Sequence, residues 1–353
     1  MIIAKTPFRI SFFGGGTDYP GWFREHGGAV LATSIDKYCY ITCRYLPPFF
    51  EHKSRIVYSQ METVRSNDDI VHPSVRATLK YMGVDSGVEI HHDADIPARS
   101  GMGSSSSFTV GLLHALHALQ ERMVSKTQLA EEAIYIEQDA LKENVGCQDQ
   151  IMVAHGGFSK IEFLPDGKGY RVSPIIVSSP RFEDLEKHLL LCFTGISRIA
   201  STIAKDQVEN IGNRKHELLT MRQMVDESIS LLSSNNDLSE FGRMLHEGWQ
   251  LKRSLTSKIS NGEIDELYAI ARRSGAIGGK LLGAGGGGFM ILFAKPEDHQ
   301  RIKKALNNIL FVPFKFENFG SQIISYKPST DFDMSIRMTN LPHKNARVAV
   351  TQS

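Results

Sequence analysis

The sequence predicts an α+β protein of two domains, and three observations carry that reading. Its 353 residues are enough for about two domains at roughly 150 residues each. The opening stretch is strand-rich, with helices entering only after it. A second succession of strand, long helices and strand begins near Leu189, which implies a sheet in each half.

Each element follows from its residue types. Residues 2–13, 29–45, 55–58 and 88–91 are β-branched and aromatic and read as strands. Within 104–119, Leu112, Leu116 and Leu119 recur at the spacing of one helix face. Leu129, Ala133, Ile136 and Ala140 repeat the pattern over 127–142, behind a capping box from Ser125 to Gln128. After a strand at 189–193, Leu218, Met221, Val225, Ser228 and Leu232 form one helical seam, and Phe241, Leu245 and Trp249 form a second. A short helix over 264–271, a glycine-rich turn, a strand at 288–294, a helix from Pro296 and strands near 310–316 and 322–326 complete the chain. The boundary falls between Pro174 and Leu185, giving domains at 1–180 and 181–328 and an irregular tail at 329–353.

Composition narrows the function. With 41% hydrophobic and 22% charged residues the chain is neither disordered nor fibrous. A net charge of +1 supplies no global field for nucleic acid or an anionic membrane, so any anion must be caught by a local site. No apolar run approaches the roughly 18 residues of a membrane span, and the start lacks the order of a signal peptide. The expectation is a soluble cytoplasmic protein, monomer or homodimer, acting on a small molecule. Cys39, Cys43, Cys147 and Cys192 are too few and scattered for a disulfide framework and read as reduced core thiols.

Three glycine-bearing segments and an acidic pair stand out. In PARSGMGSSSSF (97–108), Gly and Ser lead directly into an amphipathic helix. Such a loop lets backbone N–H groups approach a phosphate, the helix start adds partial positive charge, and serine hydroxyls can bond phosphate or reach Mg²⁺. Gly283, Gly285 and Gly288 match GxGxxG, but a helical segment is expected before them and a strand after, the reverse of a dinucleotide fingerprint. They read instead as a turn that allows close backbone packing, against the serine loop among other possibilities. In FFGGGTDY (12–19), bare backbone beside Thr17, Asp18 and Tyr19 suits a polyhydroxyl ligand, and equally a tight turn with a solvated Asp. Glu137 and Asp149 are the carboxylates that Mg²⁺-assisted phosphoryl transfer would need beside a phosphate loop; taken alone they would be surface acids. GxxxxGK[ST], GxSxG, HExxH and protein-kinase signatures are absent.

In this order, PFRISFFGGGTDY (7–19), PARSGMGSSSS (97–107) and GGKLLGAGGGG (278–288) resemble motifs one, two and three of the GHMP small-molecule kinases. Motif one has Gly14-Gly15-Gly16-Thr17-Asp18-Tyr19 where galactokinases carry GEHxDY, which argues against galactose. The FGGGTD form, CQDQ (147–150) and TGISRIAS (194–201) are similar to bacterial D-glycero-D-manno-heptose 7-phosphate kinases, which phosphorylate the anomeric oxygen in nucleotide-activated heptose biosynthesis for surface polysaccharide.

The resemblance implies a two-domain GHMP architecture with the active-site cleft between the domains, and use of ATP and Mg²⁺. It places Asp149 at the catalytic aspartate and Arg9 at the basic position beside the reacting oxygen. Gly101, Gly103, Ser104, Ser105 and Ser106 would cradle the nucleotide phosphates, and Ser105 and Glu137 would hold Mg²⁺. The interval from Glu137 to Asp149 is about one residue longer than in mevalonate kinases. Gly15, Gly16, Thr17, Asp18 and Tyr19 would face the sugar, and Gly283, Gly285 and Gly286 belong to motif three. A second phosphate on the substrate needs a basic clamp, with Arg198 the first candidate and Lys252, Arg253 and Arg99 after it. The rivals are an anomeric kinase for fucose or an N-acetylhexosamine, a GHMP-fold decarboxylase and a non-catalytic sensor.

Overall fold

The computed structural model describes residues 1–327 apart from 48, 99, 196–202, 205, 207–211 and 213. Two long antiparallel strands, β1 (Ile2–Phe13) and β2 (Gly28–Tyr45), organise the first sheet, joined through α1 (Pro20–His26). Ile, Val, Phe, Tyr and Thr recur along both, the types that favour strands. Added to these are β3 (Ser54–Val57), β4 (Met61–Val64), β5 (Val88–Ala94), β6 (Phe158–Phe163) and β7 (Tyr170–Pro174). The length of β2 has a reason: its first part pairs with β6 and its second with β5, while β1 runs along its other edge.

Helices of this half are α2 (Pro73–Tyr81), α3 (Ser104–Leu119), α4 (Lys126–Ile134), α5 (Gln148–His155) and α6 (Ser179–Lys187). The α3 helix is buried almost throughout and packs on β1 and β2. Ser125 accepts the Gln128 N–H at 3.1 Å, so the expected cap forms. The helix expected over 127–142 is α-helical only to Ile134 and continues as a π-helical turn, Tyr135–Ala140.

The second half holds a four-stranded antiparallel sheet in the order β11 (Leu310–Val312), β8 (Leu189–Phe193), β10 (Phe289–Ala294) and β9 (Ala276–Leu281). Around it lie α7 (Lys215–Leu232), α8 (Ser239–Leu255), α9 (Gly262–Arg273) and α10 (His299–Ala305), with the predicted seam residues of α7 and α8 buried. The expected helix-then-glycine order is corrected here: β9 stands between α9 and the glycines, which therefore link two antiparallel strands. Gly278, Gly279 and Lys280 interrupt the apolar pattern that would have marked β9. No helix opens after the glycines, so a dinucleotide fingerprint is still excluded.

The chain then returns, β12 (Phe316–Glu317) pairing with β2 and β13 (Gln322–Tyr326) with β1. Phe12 cements the junction, meeting Phe158, Phe316 and Phe241 edge-on at centroid distances of 5.8, 6.3 and 5.5 Å. All four cysteines are buried and free. Among the described residues no helix is long and apolar enough to cross a membrane.

Candidate active site

The loop before α3 is shaped by close backbone approach. Gly101 and Gly103 have φ of +78° and +76°, and a Cβ on Gly101 would lie 2.5 Å from the Leu282 carbonyl oxygen. From the other side, a Cβ on Gly283 would lie 2.6 Å from Gly101 Cα, and the Phe289 N–H donates to the Ser100 carbonyl at 3.0 Å. The third glycine segment thus packs on the serine loop, and only glycine permits that contact. Gly103 stands at the N-cap of α3 and offers no side-chain cap, and the start of a 16-residue helix carries partial positive charge that favours an anion such as a phosphate.

Arg9, only 2% exposed, ties this loop to the start of α5. Its Nε and Nη2 each donate to one oxygen of Asp149 at 2.8 Å, and its Nη1 donates to the Gly101 carbonyl at 2.8 Å. Its backbone N–H also donates to the Met102 carbonyl, at 3.1 Å. A planar guanidinium can satisfy these two carboxylate oxygens and the Gly101 carbonyl at once, as an ammonium could not. Asp149 keeps 26% of its side chain exposed, so the carboxylate is gripped from behind and open in front.

Glu137 lies within the π turn, 1% exposed, with one oxygen, Oε2, accepting from Ser106 Oγ at 3.0 Å and from Gln150 Nε2. Its Oε1 is buried with no partner, as is Gln150 Oε1. Burial raises its carboxyl to about 7, and Glu143 adds to the rise. An orphaned buried carboxylate oxygen beside serine hydroxyls fits a hard cation that takes its remaining ligands from phosphate and water. The hydroxyl that reaches Glu137 belongs to Ser106; Ser105, expected as the metal ligand, is exposed. Each residue turns a helix by about 100°, so neighbouring serines cannot both face Glu137.

On the opposite wall Asp18 is buried and accepts from the Gly16 N–H at 3.0 Å and from the Gln148 N–H at 3.4 Å. Burial, then Asp149, pushes its carboxyl upward. Two lysines come in from the second half. Lys252 of α8 donates to the carbonyls of Gly283 and Leu281, and burial followed by Arg9 lowers it to about 8. Lys280 of β9 donates to the Phe12 carbonyl at 2.8 Å. Among the described residues no group of three His, Cys, Asp or Glu side chains forms a metal cage.

Residues 69–157 match the model of the GHMP kinases N-terminal domain, and 228–311 that of the GHMP kinases C-terminal domain. The chain belongs to the GHMP kinase family. Among relatives of this GHMP kinase, the D-glycero-alpha-D-manno-heptose 7-phosphate kinase of Campylobacter jejuni is 28% identical over 316 residues, 86% of this chain and 93% of that protein. The bifunctional fucokinase/GDP-fucose pyrophosphorylase of Arabidopsis thaliana is 26% identical over 82% of this chain, which spans only 30% of that longer protein. The crystal structure of a D-glycero-D-manno-heptose 1-phosphate kinase from Bacteroides thetaiotaomicron superposes with a TM-score of 0.73 at 23% identity, covering 93% of this chain and all of that one, and shows the shared two-domain fold.

Of the site residues expected from sequence, this GHMP kinase brings together Arg9, Asp149, Glu137, Asp18, Lys252 and the two glycine loops. Tyr19 is buried behind Asp18. A Cβ on Gly15 would face Gln148 Nε2 and Ser11 Oγ, and one on Gly16 would face Leu218. The Thr17 hydroxyl is committed to the turn, bonded to the Gly14 and Ala29 backbone, so it is a structural element and no free sugar contact. Gly285 and Gly286 pack against Ile259, away from the serine loop. Arg253 pairs with Asp265 at 2.6 Å on the outer side of α8. Arg198, Arg99 and the tail 329–353 lie outside the described residues. Sequence reasoning missed Ser106 as the partner of Glu137, the Gln150 contact and Lys280; the signal for Lys280 was a charged residue between glycines and leucines in an otherwise apolar strand.

Proposed function

We propose that the protein is an ATP-dependent sugar kinase that phosphorylates the anomeric hydroxyl of a heptose 7-phosphate, giving the 1,7-bisphosphate. The observation that carries this reading is the Asp149 carboxylate, half-open to the cleft and held in a two-point grip by buried Arg9 beside the serine loop. The heptose 7-phosphate kinase relative supports the choice of sugar.

The chemistry follows from the residues. An anomeric hydroxyl is more acidic than an ordinary alcohol, so Asp149 has to orient it and receive its proton as its oxygen bonds to the γ-phosphorus and the bond to the bridging oxygen of ADP breaks, help worth about 10² to 10⁴-fold. Arg9 keeps the carboxylate aligned and places positive charge next to the developing negative charge. Asp18, fixed by the Gly16 and Gln148 amides, is placed to accept sugar hydroxyls. The start of α3, whose helix dipole favours negative charge, receives phosphate oxygens. Mg²⁺, held by Glu137 and Ser106, would supply neutralisation of the nucleotide's charge. Arg198 is proposed to grip the 7-phosphate bidentately.

ADP release is measured with MgATP across heptose 7-phosphate, unphosphorylated heptose, mannose, galactose and fucose, for the wild type and Asp149→Asn. Turnover confined to heptose 7-phosphate and lost in the variant, with nucleotide binding retained, is the expected result. Turnover with fucose instead would favour the second reading, which the fucokinase relatives support. Full activity of Asp149→Asn would sink the mechanism.

A further inference from the structure

We propose that Lys280 is a positioning residue, which crosses from the second half to hold the Phe12 carbonyl and so sets the glycine turn that carries Asp18. The sheet itself leaves this carbonyl to be claimed. Pairing of β1 with β2 runs Ser11 to Ala32 and then Phe13 to Leu31, so Phe12 is the extra residue of a bulge at the strand end. A bulged residue falls outside the ladder, and such bulges re-aim the chain that follows. Here the chain that follows is Gly14-Gly15-Gly16-Thr17-Asp18, whose Gly16 N–H binds the Asp18 carboxylate.

Lys280 reaches the Phe12 oxygen at 2.8 Å while only 5% exposed, in a strand whose other members from Gly278 to Leu281 are also buried. An apolar residue would fill that place at less cost, because a buried ammonium loses its hydration unless its hydrogen bonds serve a purpose. The charged groups that face it are Lys252, Arg9 and Asp18. Lys252 works on the same stretch of chain from behind, since its partners are the carbonyls of Leu281 and Gly283. The two lysines therefore fasten the strand-to-loop junction to α8 on one side and to β1 on the other. Lys280 is a hydrogen-bonded side-chain tie from the second half to the sugar side of the cleft, beside the apolar side chains of Val225, Leu218 and Leu255 that lie against Gly14 and Gly16, whereas the serine loop is held by Arg9 and by direct backbone contact.

The proposal rests on reading the cleft as a sugar-kinase site, and the test separates the two. Lys280→Met keeps the length and removes the donor; Lys280→Gln restores an N–H donor. The expected result for Met is a KM for the turned-over sugar raised about 10-fold or more, the loss expected when a buried carbonyl is left without its hydrogen-bond donor, with the KM for MgATP close to wild type and partial recovery in Gln. Amide hydrogen exchange gives a readout that needs no substrate: residues 13–18 exchange faster in Met, while residues 101–107 keep the wild-type rate. If no sugar is turned over, the exchange result alone decides the role of Lys280, and the sugar reading fails separately. Unchanged exchange at 13–18, equal rises in both KM values with a parallel fall in Tm, or failure of both variants to fold would show a merely structural lysine and overturn the proposal.

Discussion

Arg9→Lys isolates geometry from charge at the centre of the site. The guanidinium makes three side-chain hydrogen bonds of 2.8 Å, two to Asp149 and one to the Gly101 carbonyl. A lysine ammonium is a single point at the end of a flexible stem and cannot span both Asp149 oxygens and Gly101 together, so it loses two of the three. Each charge-assisted bond contributes about 1.5–3 kcal/mol when its partners are dry. Asp149 is a quarter exposed, and water recovers part of that sum. The net loss of alignment is about 2–3 kcal/mol, which corresponds to a kcat lowered about 30- to 150-fold. The assay is ADP release at saturating MgATP and sugar, with MgADP affinity from calorimetry as the control for a folded nucleotide site. A kcat within about threefold of wild type would refute the argument that the two-point grip, rather than the positive charge alone, serves catalysis.

Gly101→Ala adds a Cβ that would sit 2.5 Å from the Leu282 carbonyl at a φ of +78°, so it is expected to lower the Tm and weaken nucleotide binding together, read by thermal melting and MgADP titration. Ser106→Ala removes the hydroxyl bonded to Glu137 and should raise the Mg²⁺ concentration for half-maximal activity about 10-fold, with Ser105→Ala moving it less. The Glu137 carboxyl titrates at about 7 when folded against an ordinary 4.5. The folded state therefore holds its proton longer than the unfolded one, and in the absence of divalent cation stability falls as pH rises from about 5 to 7, by at most about 3 kcal/mol. Glu137→Gln should flatten that dependence in melts across this range, and an unchanged slope would exclude Glu137 as its source.

What was legible in the sequence was whatever repeats on a fixed period or sits at a fixed spacing. The β1 strand is rich in β-branched and aromatic residues and α3 is a glycine-started apolar helix, and both were bounded from sequence at the residues observed. The serine loop followed from backbone chemistry, which also offered the packing of the third glycine segment on that loop as one possibility, whereas Asp149 alone read as a surface acid and was placed by the resemblance. Less legible was β9, because two glycines and a lysine occupy half of it and glycine carries no side-chain pattern. The helices α1 and α2 start at prolines and are short, so the apolar repeat had too few turns to register. The choice of Ser106 over Ser105 depends on the rotation of α3 relative to Glu137, which a run of four serines cannot reveal.

The resemblance makes the interval from Glu137 to Asp149 about one residue longer than in mevalonate kinases, and the π turn lies at the start of that interval. An additional residue in a regular α-helix would rotate everything beyond it by about 100° and shift it by 1.5 Å. A π-helical turn widens the ring to i→i+5 bonds and takes up a residue locally, as the Leu141 N–H bonded to the Ile136 carbonyl at 2.9 Å illustrates. With the widening placed at Tyr135–Ala140, Glu137 faces Ser106 and Gln150 while Leu129, Ala133 and Ile136 stay in the core. The turn also brings a carboxylate to a place where one of its oxygens has no partner, an arrangement that folding alone would disfavour. A helix that relaxed this turn to regular α geometry would gain backbone regularity and lose the register between Glu137 and the serine loop, so the irregularity belongs to the site rather than to the packing of the helix.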